Sequence, residues 1–429
     1  MWSTFVQHYK DPLLVAKIQE FFGIQIHYKN NSHEETKNKS GNEKSKSEKN
    51  GLNSEKSSTL VHGSYNQINE NTTRERHKDV LSPSSEISAI ENTKSHTIKN
   101  QFWYYLFVFG TELGDEIFYS LFFPFWIWNI DGTVGRRIIL VWSIILTTGQ
   151  VLKDIICWPR PSCPPAVRLQ KKWSLEYGMP STHAMIAVSI PFSAVFFTKN
   201  KYIYSFSAGF VIAILWCLLI CVSRIYLGMH TVLDVIAGLV LASGMMIVLV
   251  PLVDAIDDYF ITNNWAILTL FIIGVGTIVY HPTSGIWTPT RGDTALVVGT
   301  GTGIHLGYWI NYKTGILTAS QLPPPYNITW PTNQDIVKII SRTLLGFTYI
   351  LVLKALIKSF IYFIMCAILK VNSKELKRSE NSLENKNKIL VDLVYKYIFC
   401  FVITCSMTSV LPKIFTVIGI ERPTFYTEL

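Results

Sequence analysis

The sequence predicts an all-α protein, a polytopic bundle of about nine transmembrane helices. Composition is the first reason: 48% of the 429 residues are hydrophobic and only 16% are charged, a balance that is unusual for a soluble protein. The second reason is the arrangement of the apolar residues. After residue 101 they gather into runs close to the ~20 residues that a helix needs to cross a bilayer.

Apolar runs of spanning length define the predicted helices. The eighth run contains Lys354 and Lys358, and a lysine within a span is costly unless it reaches the interface or faces a cavity. In chain order, the runs lie at about residues 114–130, 136–152, 183–199, 203–222, 233–253, 265–281, 295–311, 343–369 and 393–419.

Hydropathy and composition divide the chain into four parts. Residues 1–27 form a short amphipathic segment suited to lie on a membrane surface. Residues 28–100 are rich in Asn, Ser, Lys and Glu and poor in aromatic residues, which predicts a disordered polar linker. Residues 101–310 are expected to hold the membrane-embedded core, and residues 311–429 a C-terminal loop with additional transmembrane helices.

Charge in this chain indicates contact with lipid rather than with nucleic acid. The formal net charge is +9. Basic loops set the topology of membrane proteins and contact anionic headgroups, and the sequence has no compact basic domain that would hold a nucleic acid. Membrane lipids are therefore the expected partners, and no oligomeric state is predicted.

Alternation of the predicted spans brings three polar stretches to one face of the membrane. They are residues 153–182, 223–232 and 282–294, which are far apart in the chain. The first two supply three cations, Lys153, Arg160 and Arg224, and the hydroxyls of Ser181 and Thr182. Such a cation-rich pocket suits a phosphate dianion, whose charge spreads over its oxygens during phosphoryl transfer.

Two histidines complete the candidate site. His230 and Asp234 are four residues apart, a spacing that on a helix lets the carboxylate accept the imidazole N–H and orient the ring as a nucleophile. His183 is then expected on the other side of the phosphorus, where it protonates the departing alkoxide and later activates water. Because the cations neutralise the phosphate, we expect neither a metal ion nor a cofactor.

Other charged residues on this face are weaker candidates. Asp115 and Glu116, at the start of the first span, are expected at the membrane interface. Arg291 and Asp293 lie on the active face, where they could pair with each other.

The same residues resemble a known superfamily, which contains the type 2 phosphatidic-acid phosphatases and the vanadium haloperoxidases. Its pattern is KxxxxxxRP, PSGH and SRxxxxxHxxxD, and this chain has KDIICWPRP at 153–161, PSTH at 180–183 and SRIYLGMHTVLD at 223–234. The threonine in PSTH departs from the glycine of the pattern. That variant, with GTELGDEIFY, FFPFWIWNIDGTVGRR, EYGMPSTHAM and RGDTA, is similar to the sphingosine-1-phosphate phosphatase branch.

The resemblance implies a phosphatase core and an activity. Members of that branch dephosphorylate sphingosine 1-phosphate and its dihydro form without metal, in the endoplasmic reticulum membrane, with the active site expected on the lumenal face. By the roles that the family assigns, His230 is the nucleophile, His183 the acid and base, and Asp234 the residue that orients His230. The phosphate ligands are expected to be Lys153, Arg160, Ser181, Thr182 and Arg224.

Two alternatives remain open on the sequence. One is a broader lipid phosphate phosphatase that acts on phosphatidate, lysophosphatidate or a polyprenyl diphosphate. The other is a transporter that binds phosphorylated lipid in the same cationic cavity without catalysis, which gives no reason for the spacing of His230 and Asp234.

Overall fold

The computed structural model describes residues 2–28, 94–170, 172, 174–283, 288–370 and 386–429. The chain forms two compact units, one of residues 1–25 and 98–429 and one of residues 26–97. Most of the predicted polar linker, residues 29–93, lies outside the described residues. The strands β1 (Ile24–Tyr28) and β2 (Lys94–Ile98) border that stretch and pair as a two-stranded sheet.

The larger unit is almost entirely helical, as predicted. Each of the predicted apolar runs overlaps a helix, although several begin or end a few residues outside it, and the last run covers two helices. A short parallel pair joins β3 (Tyr202–Ile203) to β4 (Tyr326–Asn327). The helices are α1 (Trp2–Tyr9), α2 (Pro12–Phe21), α3 (Gln101–Glu112), α4 (Glu116–Asn129), α5 (Gly132–Ile156), α6 (Thr182–Thr198), α7 (Phe206–Tyr226), α8 (Val232–Thr262), α9 (Ala266–Val279), α10 (Thr290–Lys313), α11 (Asn333–Leu369), α12 (Lys386–Ser409), α13 (Leu411–Ile418) and a 3₁₀ turn (Phe425–Thr427).

Length and hydropathy make this a multi-pass membrane protein. Within the described residues, five helical segments are long and apolar enough to cross a bilayer: Gly132–Ile156, Phe206–Tyr226, Val232–Thr262, Asn333–Leu369 and Asn387–Ile418. Two shorter apolar helices, α6 and α9, are consistent with the larger predicted number of spans.

Local sequence explains where several of these helices begin. Asp131 accepts a 2.9 Å hydrogen bond from the Val134 N–H at the start of α5, and Asn100 caps α3 in the same way. At α8, Thr231 and Asp234 form a reciprocal capping box. Helix α5 ends at Cys157, whose left-handed backbone (φ 51°) stops the helix just after Lys153.

Helix α10 packs against α12 along a row of glycines spaced four residues apart. A Cβ atom would lie 2.6 Å from the Tyr397 carbonyl oxygen at Gly299 and 2.3 Å from the Phe401 carbonyl oxygen at Gly303. The two backbones therefore touch directly, as in the small-residue seams of membrane helices. This seam holds the C-terminal helix α12 against the middle of the bundle.

Candidate active site

Three distant stretches of the chain meet at one end of a cavity of about 620 Å³. We call this the catalytic end because the residues predicted to be catalytic line it. It is built by the C-terminus of α5, the loop before α6, the first turn of α6 and the turn between α7 and α8. Of the residues predicted from sequence, it is lined by Lys153, Arg160, Thr182, His183, Arg224 and His230. Asp234 and Ser181 are buried just behind this lining, with no exposed surface.

A carboxylate that sequence reasoning missed holds two of the cations. Glu176 forms an ion pair with the Lys153 ammonium, and its carboxylate lies 3.8 Å from Nη2 of Arg160. The Glu176 backbone carbonyl also accepts a 2.7 Å hydrogen bond from Arg160 Nε. Burial opposes ionisation of Glu176, but Lys153 and Arg160 outweigh it and lower the pKa of that carboxyl. Glu176 therefore stays charged and fixes both cations.

Arg160 spans the gap between Glu176 and the nucleophile candidate. Its Nη1 atom donates a 2.8 Å hydrogen bond to the Met229 carbonyl oxygen and lies 3.4 Å from Nε2 of His230. Burial lowers the pKa of Arg160 to about 10, which leaves the guanidinium charged near neutral pH. The cation is thus held against the ring edge of His230.

Arg224 has two donors that no described group accepts. Its side chain is fully buried, and Nη1 donates to the Thr111 hydroxyl and, at 2.8 Å, to Oε1 of Gln170. Nε and Nη2 have no hydrogen-bond partner among the described residues. Leaving charged donors unsatisfied in a buried site is costly, and an anion in the cavity would satisfy them. The Arg224 side chain is therefore held in place with two donors left for an anion.

His230 and Asp234 are close, but they do not form the hydrogen bond that their spacing predicts. Nδ1 of His230 lies 3.8 Å from Oδ2 of Asp234, and that oxygen instead accepts a 2.8 Å hydrogen bond from the Thr231 N–H. The reason is local: α8 begins at Val232, so His230 precedes the helix and does not share a face with Asp234.

The surroundings of His230 favour its neutral imidazole. Burial, together with the charges of Arg160 and Arg224, lowers the pKa of His230 well below its usual value. An unprotonated ring beside two guanidinium groups is the form that a nitrogen nucleophile requires.

The PSTH stretch contributes its side chains unequally. The Thr182 hydroxyl accepts a 3.1 Å hydrogen bond from Lys153 and faces the cavity. Ser181, expected as a phosphate ligand, instead caps α6, its hydroxyl lying 3.5 Å from the Ala184 nitrogen. His183 lines the cavity beneath the turn between α3 and α4, where a Cβ on Gly114 would lie 3.0 Å from its ring.

Acidic residues that we expected at the membrane interface line the cavity instead. Asp115 is only 3% exposed. Lys172 lies 3.0 Å from Oδ1 of Asp115 and 3.1 Å from Oε1 of Glu116, so the two carboxylates share that lysine as a counter-ion. Their position was one signal that could have indicated this arrangement, since an acid at the start of a span needs a partner.

Arg291 and Asp293 do not pair with each other. Nε of Arg291 donates a 3.0 Å hydrogen bond to the Ile278 carbonyl oxygen. Asp293 instead faces α12, where its Oδ1 lies 3.1 Å from Nζ of Lys396. Residues two positions apart project from nearly opposite sides of a helix, so these two side chains on α10 contact different neighbours.

Beyond its polar end the cavity becomes apolar. Helices α4, α5, α10, α11 and α12 line this part, through residues such as Leu121, Phe123, Trp142, Ile304, Leu351 and Met407. Lys354 also lines it, with its ammonium 5.7 Å from the centre of the Phe399 ring. The lysine predicted to be costly within a span therefore faces the cavity.

Comparison with known proteins gives a consistent result. Residues 136–258 match the PAP2 superfamily. Sphingosine-1-phosphate phosphatase 1 of Rattus norvegicus is 39% identical over 321 residues, 74% of this chain and 73% of the rat protein. Sphingosine-1-phosphate phosphatase 2 of Mus musculus is 33% identical over 79% of this chain and 94% of the mouse protein. A dihydrosphingosine 1-phosphate phosphatase of Schizosaccharomyces pombe is 26% identical over 62% of this chain and 64% of the yeast protein. No solved structure matches the chain.

Proposed function

The chain belongs to the sphingosine-1-phosphate phosphatase family of the PAP2 superfamily, and we propose that it hydrolyses sphingosine 1-phosphate and dihydrosphingosine 1-phosphate to the sphingoid base and phosphate. The observation that carries this proposal is that a single cavity has a charged end and an apolar remainder. Two histidines and three cations line one end, and apolar side chains from five helices line the rest. A phosphorylated single-chain lipid has this same division between a charged head and an apolar tail.

The cations at the catalytic end bind the phosphate group. The free Nε and Nη2 donors of Arg224 suit two phosphate oxygens, and Lys153 and Arg160 add positive charge that Glu176 holds in place. The Thr182 hydroxyl and the N-terminal N–H groups of α6 complete the cradle, and Ser181 contributes by capping that helix. These fixed charges stabilise the transition state without reorganisation, so no metal ion or cofactor is assigned a step.

In the first chemical step, Nε2 of His230 attacks phosphorus and the P–O bond to the lipid breaks. His183 donates a proton to the departing alkoxide, which leaves as the sphingoid alcohol. In the second step, His183 takes a proton from water, the oxygen attacks the phosphohistidine, and the N–P bond breaks to release phosphate. Asp234, 3.8 Å from Nδ1 of His230, stabilises positive charge on that ring while the N–P bond exists.

Localisation to the endoplasmic reticulum membrane, with the catalytic end facing the lumen, is part of the proposal. Its support is the motif resemblance together with the basic residues at the opposite end of the bundle. Arg137 lies near the start of α5, whereas Lys153 lies near its end, 16 residues further along one helix. Lys199 and Lys201 follow the C-terminus of α6, again away from His183. This distribution agrees with a cytosolic side opposite the site.

Trapping the enzyme intermediate tests the reaction class and the nucleophile together. The purified full-length protein is mixed with ³²P-labelled sphingosine 1-phosphate, quenched in alkali and analysed for phosphohistidine. We expect label on the wild-type protein and none on His230→Ala. Label retained by His230→Ala would reject His230 as the nucleophile, and binding of lipid without phosphate release would favour the transporter.

Substrate range is tested by comparing lipid phosphates in detergent micelles. We expect a higher kcat/KM for sphingosine 1-phosphate than for phosphatidate, lysophosphatidate or a polyprenyl diphosphate. Faster cleavage of phosphatidate would establish a broader lipid phosphate phosphatase and reject the proposed specificity.

A further inference from the structure

The cavity wall contains a carboxylate for which the phosphatase mechanism has no use. Among the described residues, four carboxylates line the cavity, and three of them form ion pairs with lysines. Lys172 pairs with Asp115 and Glu116, and Lys153 pairs with Glu176. The fourth, Asp293, is different. Its Oδ1 pairs with Lys396, whereas its Oδ2 is buried and has no hydrogen-bond partner among the described residues.

Asp293 lies at the level of the catalytic end because α10 starts there. The Thr290 hydroxyl at the first position of α10 donates a hydrogen bond to Asp154, the residue that follows Lys153 on α5. Asp293 is three residues further on, about one helical turn from this anchor. Its side chain therefore lies between this anchor and the apolar part of the cavity into which α10 continues.

The same face of α10 continues into the apolar part. The cavity-lining residues of α10 are Asp293, Leu296, Val297, Thr300 and Ile304. Their spacing of three or four residues places them in one stripe along the helix. Asp293 is the only charged member of this stripe and stands at its catalytic end.

A sphingoid-base phosphate carries its groups in a matching order. The phosphate is on carbon 1, an ammonium on carbon 2, a hydroxyl on carbon 3, and the hydrocarbon chain follows. The cavity supplies cations and histidines, then a carboxylate with one oxygen that has no hydrogen-bond partner among the described residues, then apolar side chains. Phosphatidate and lysophosphatidate have no ammonium next to the phosphate, so a carboxylate at this position favours the amine-bearing lipid.

Building on the proposed function, we propose that Asp293 accepts a hydrogen bond from the ammonium group of the bound sphingoid-base phosphate and so selects that class of substrate. Oδ2 is the accepting atom, and Lys396 holds the carboxylate by its other oxygen. Gly292 permits this arrangement, since a Cβ there would lie 2.7 Å from the Lys396 ammonium. A charge-assisted hydrogen bond in a shielded cavity is stronger than a neutral one, and its loss is expected to cost about tenfold or more in kcat/KM.

A purely structural role for Asp293 makes a different prediction. If the carboxylate served only to tie α10 to α12 through Lys396, removing either partner would have the same effect. Under the proposal the two variants differ, because Lys396→Met leaves the carboxylate that the amine contacts, whereas Asp293→Asn removes its charge.

The test measures kcat/KM for sphingosine 1-phosphate and for its 2-deamino analogue, with purified full-length protein in micelles. Wild type is expected to favour the amine-bearing lipid. Asp293→Asn should lose that preference by about tenfold or more while its rate with the deamino analogue is little changed, and Lys396→Met should keep the preference. Turnover of the deamino analogue shows that Asp293→Asn is folded.

Several results would overturn the proposal. The proposal is wrong if Asp293→Asn keeps the wild-type preference for the amine-bearing lipid, or if both variants lose that preference equally. It is also wrong if the wild-type protein itself cleaves both lipids equally well. Wild type that cleaves neither lipid would reject the proposed function itself, which separates the two failures.

Discussion

Nε2 of Gln19 donates a 2.6 Å hydrogen bond to the carbonyl oxygen of Val167, 148 residues further along the chain. The same atom donates to the Tyr226 carbonyl oxygen at 2.8 Å, and Oε1 accepts a 2.9 Å hydrogen bond from the Val167 N–H. Gln19 is fully buried. We expected α2 on the membrane surface, but one of its faces is hydrogen-bonded to the protein interior. It contacts the loop that carries Arg160 and Glu176 and the end of α7, the helix that carries Arg224.

Replacing Gln19 by Ala should therefore weaken both the fold and the site. The buried Tyr226 carbonyl and the partly buried carbonyl and N–H of Val167 lose their partner, which is expected to cost about 1–3 kcal/mol. Because Gln170 follows on the same loop and holds Arg224, we expect a higher KM as well as a lower thermal midpoint. Both are measured on detergent-purified protein. Glu20→Ala, a change at an exposed residue of the same helix, is the matched control. If it had an effect as large as that of Gln19→Ala, the hydrogen bonds of Gln19 would not be what holds the loop and the end of α7 in place.

Glu176→Gln tests the buried ion pairs beneath the phosphate site. The change leaves Lys153 and Arg160 without their carboxylate, and breaking a buried pair is expected to cost about 3–5 kcal/mol. The cations are then free to move, so kcat should fall as well. Thermal melts and steady-state rates measure the two effects, with the exposed Glu421→Gln as the control.

The effect on stability should depend on pH in a defined direction. Lys153 and Arg160, working against burial, lower the pKa of folded Glu176 below that of the unfolded chain. Its stabilisation is therefore fully present above the unfolded value of about 4.3 and is lost as pH falls through the folded pKa. The difference between wild type and Glu176→Gln should shrink only in strongly acidic solution. A gap that closes between pH 7 and 5 would contradict this.

The two histidines should be separable by the leaving group of the substrate. An aryl phosphate with an acidic phenol needs no proton from His183 to depart, whereas every substrate needs the nucleophile. His183→Ala is expected to lose about 10²–10⁴-fold with the lipid substrate and much less with the aryl phosphate. His230→Ala should be inactive with both. Equal losses for His183→Ala with the two substrates would reject its role as general acid.

The pH profile of kcat/KM should reflect a neutral His230. Burial and the neighbouring Arg160 and Arg224 lower the pKa of this imidazole, and the ring attacks only when unprotonated. Activity should therefore persist as pH falls through 6.5, the usual value for histidine. The ionisation of the lipid phosphate, near pH 6, is titrated separately in the same micelles. An acid limb centred above 6.5 would show that the ring is not held neutral.

Much of the architecture could be read from local sequence. Hydropathy located the helices because burial in lipid requires long apolar runs, and the motif spacing identified the residues that line the catalytic end. The start of α8 was predicted wrongly, because the expected hydrogen bond between His230 and Asp234 required both residues to lie on the helix. The sequence TVLD at 231–234 is a capping box, which starts the helix after His230 and engages the carboxylate of Asp234. That signal was available from the sequence.

The counter-ions were harder to predict. Glu176 lies in an irregular loop, Lys172 reaches back to Asp115, and Lys396 meets Asp293 across 103 residues. No periodicity encodes such pairings, because they depend on how helices and loops pack in three dimensions. A general argument gives only the need for them: several cations in a shielded site require carboxylates nearby.

The glycine row of α10 has a consequence for the hydrocarbon chain. Where backbone meets backbone at Gly299 and Gly303, no side chain can swing aside to enlarge the space. The α10–α12 side of the cavity is therefore a stiff boundary, and a longer or kinked tail is expected to be accommodated where α11 lines the cavity with Phe347 and Leu351. The side chains of α11 should therefore determine which hydrocarbon chain lengths the cavity accepts, while the glycine row keeps α10 and α12 at a fixed separation.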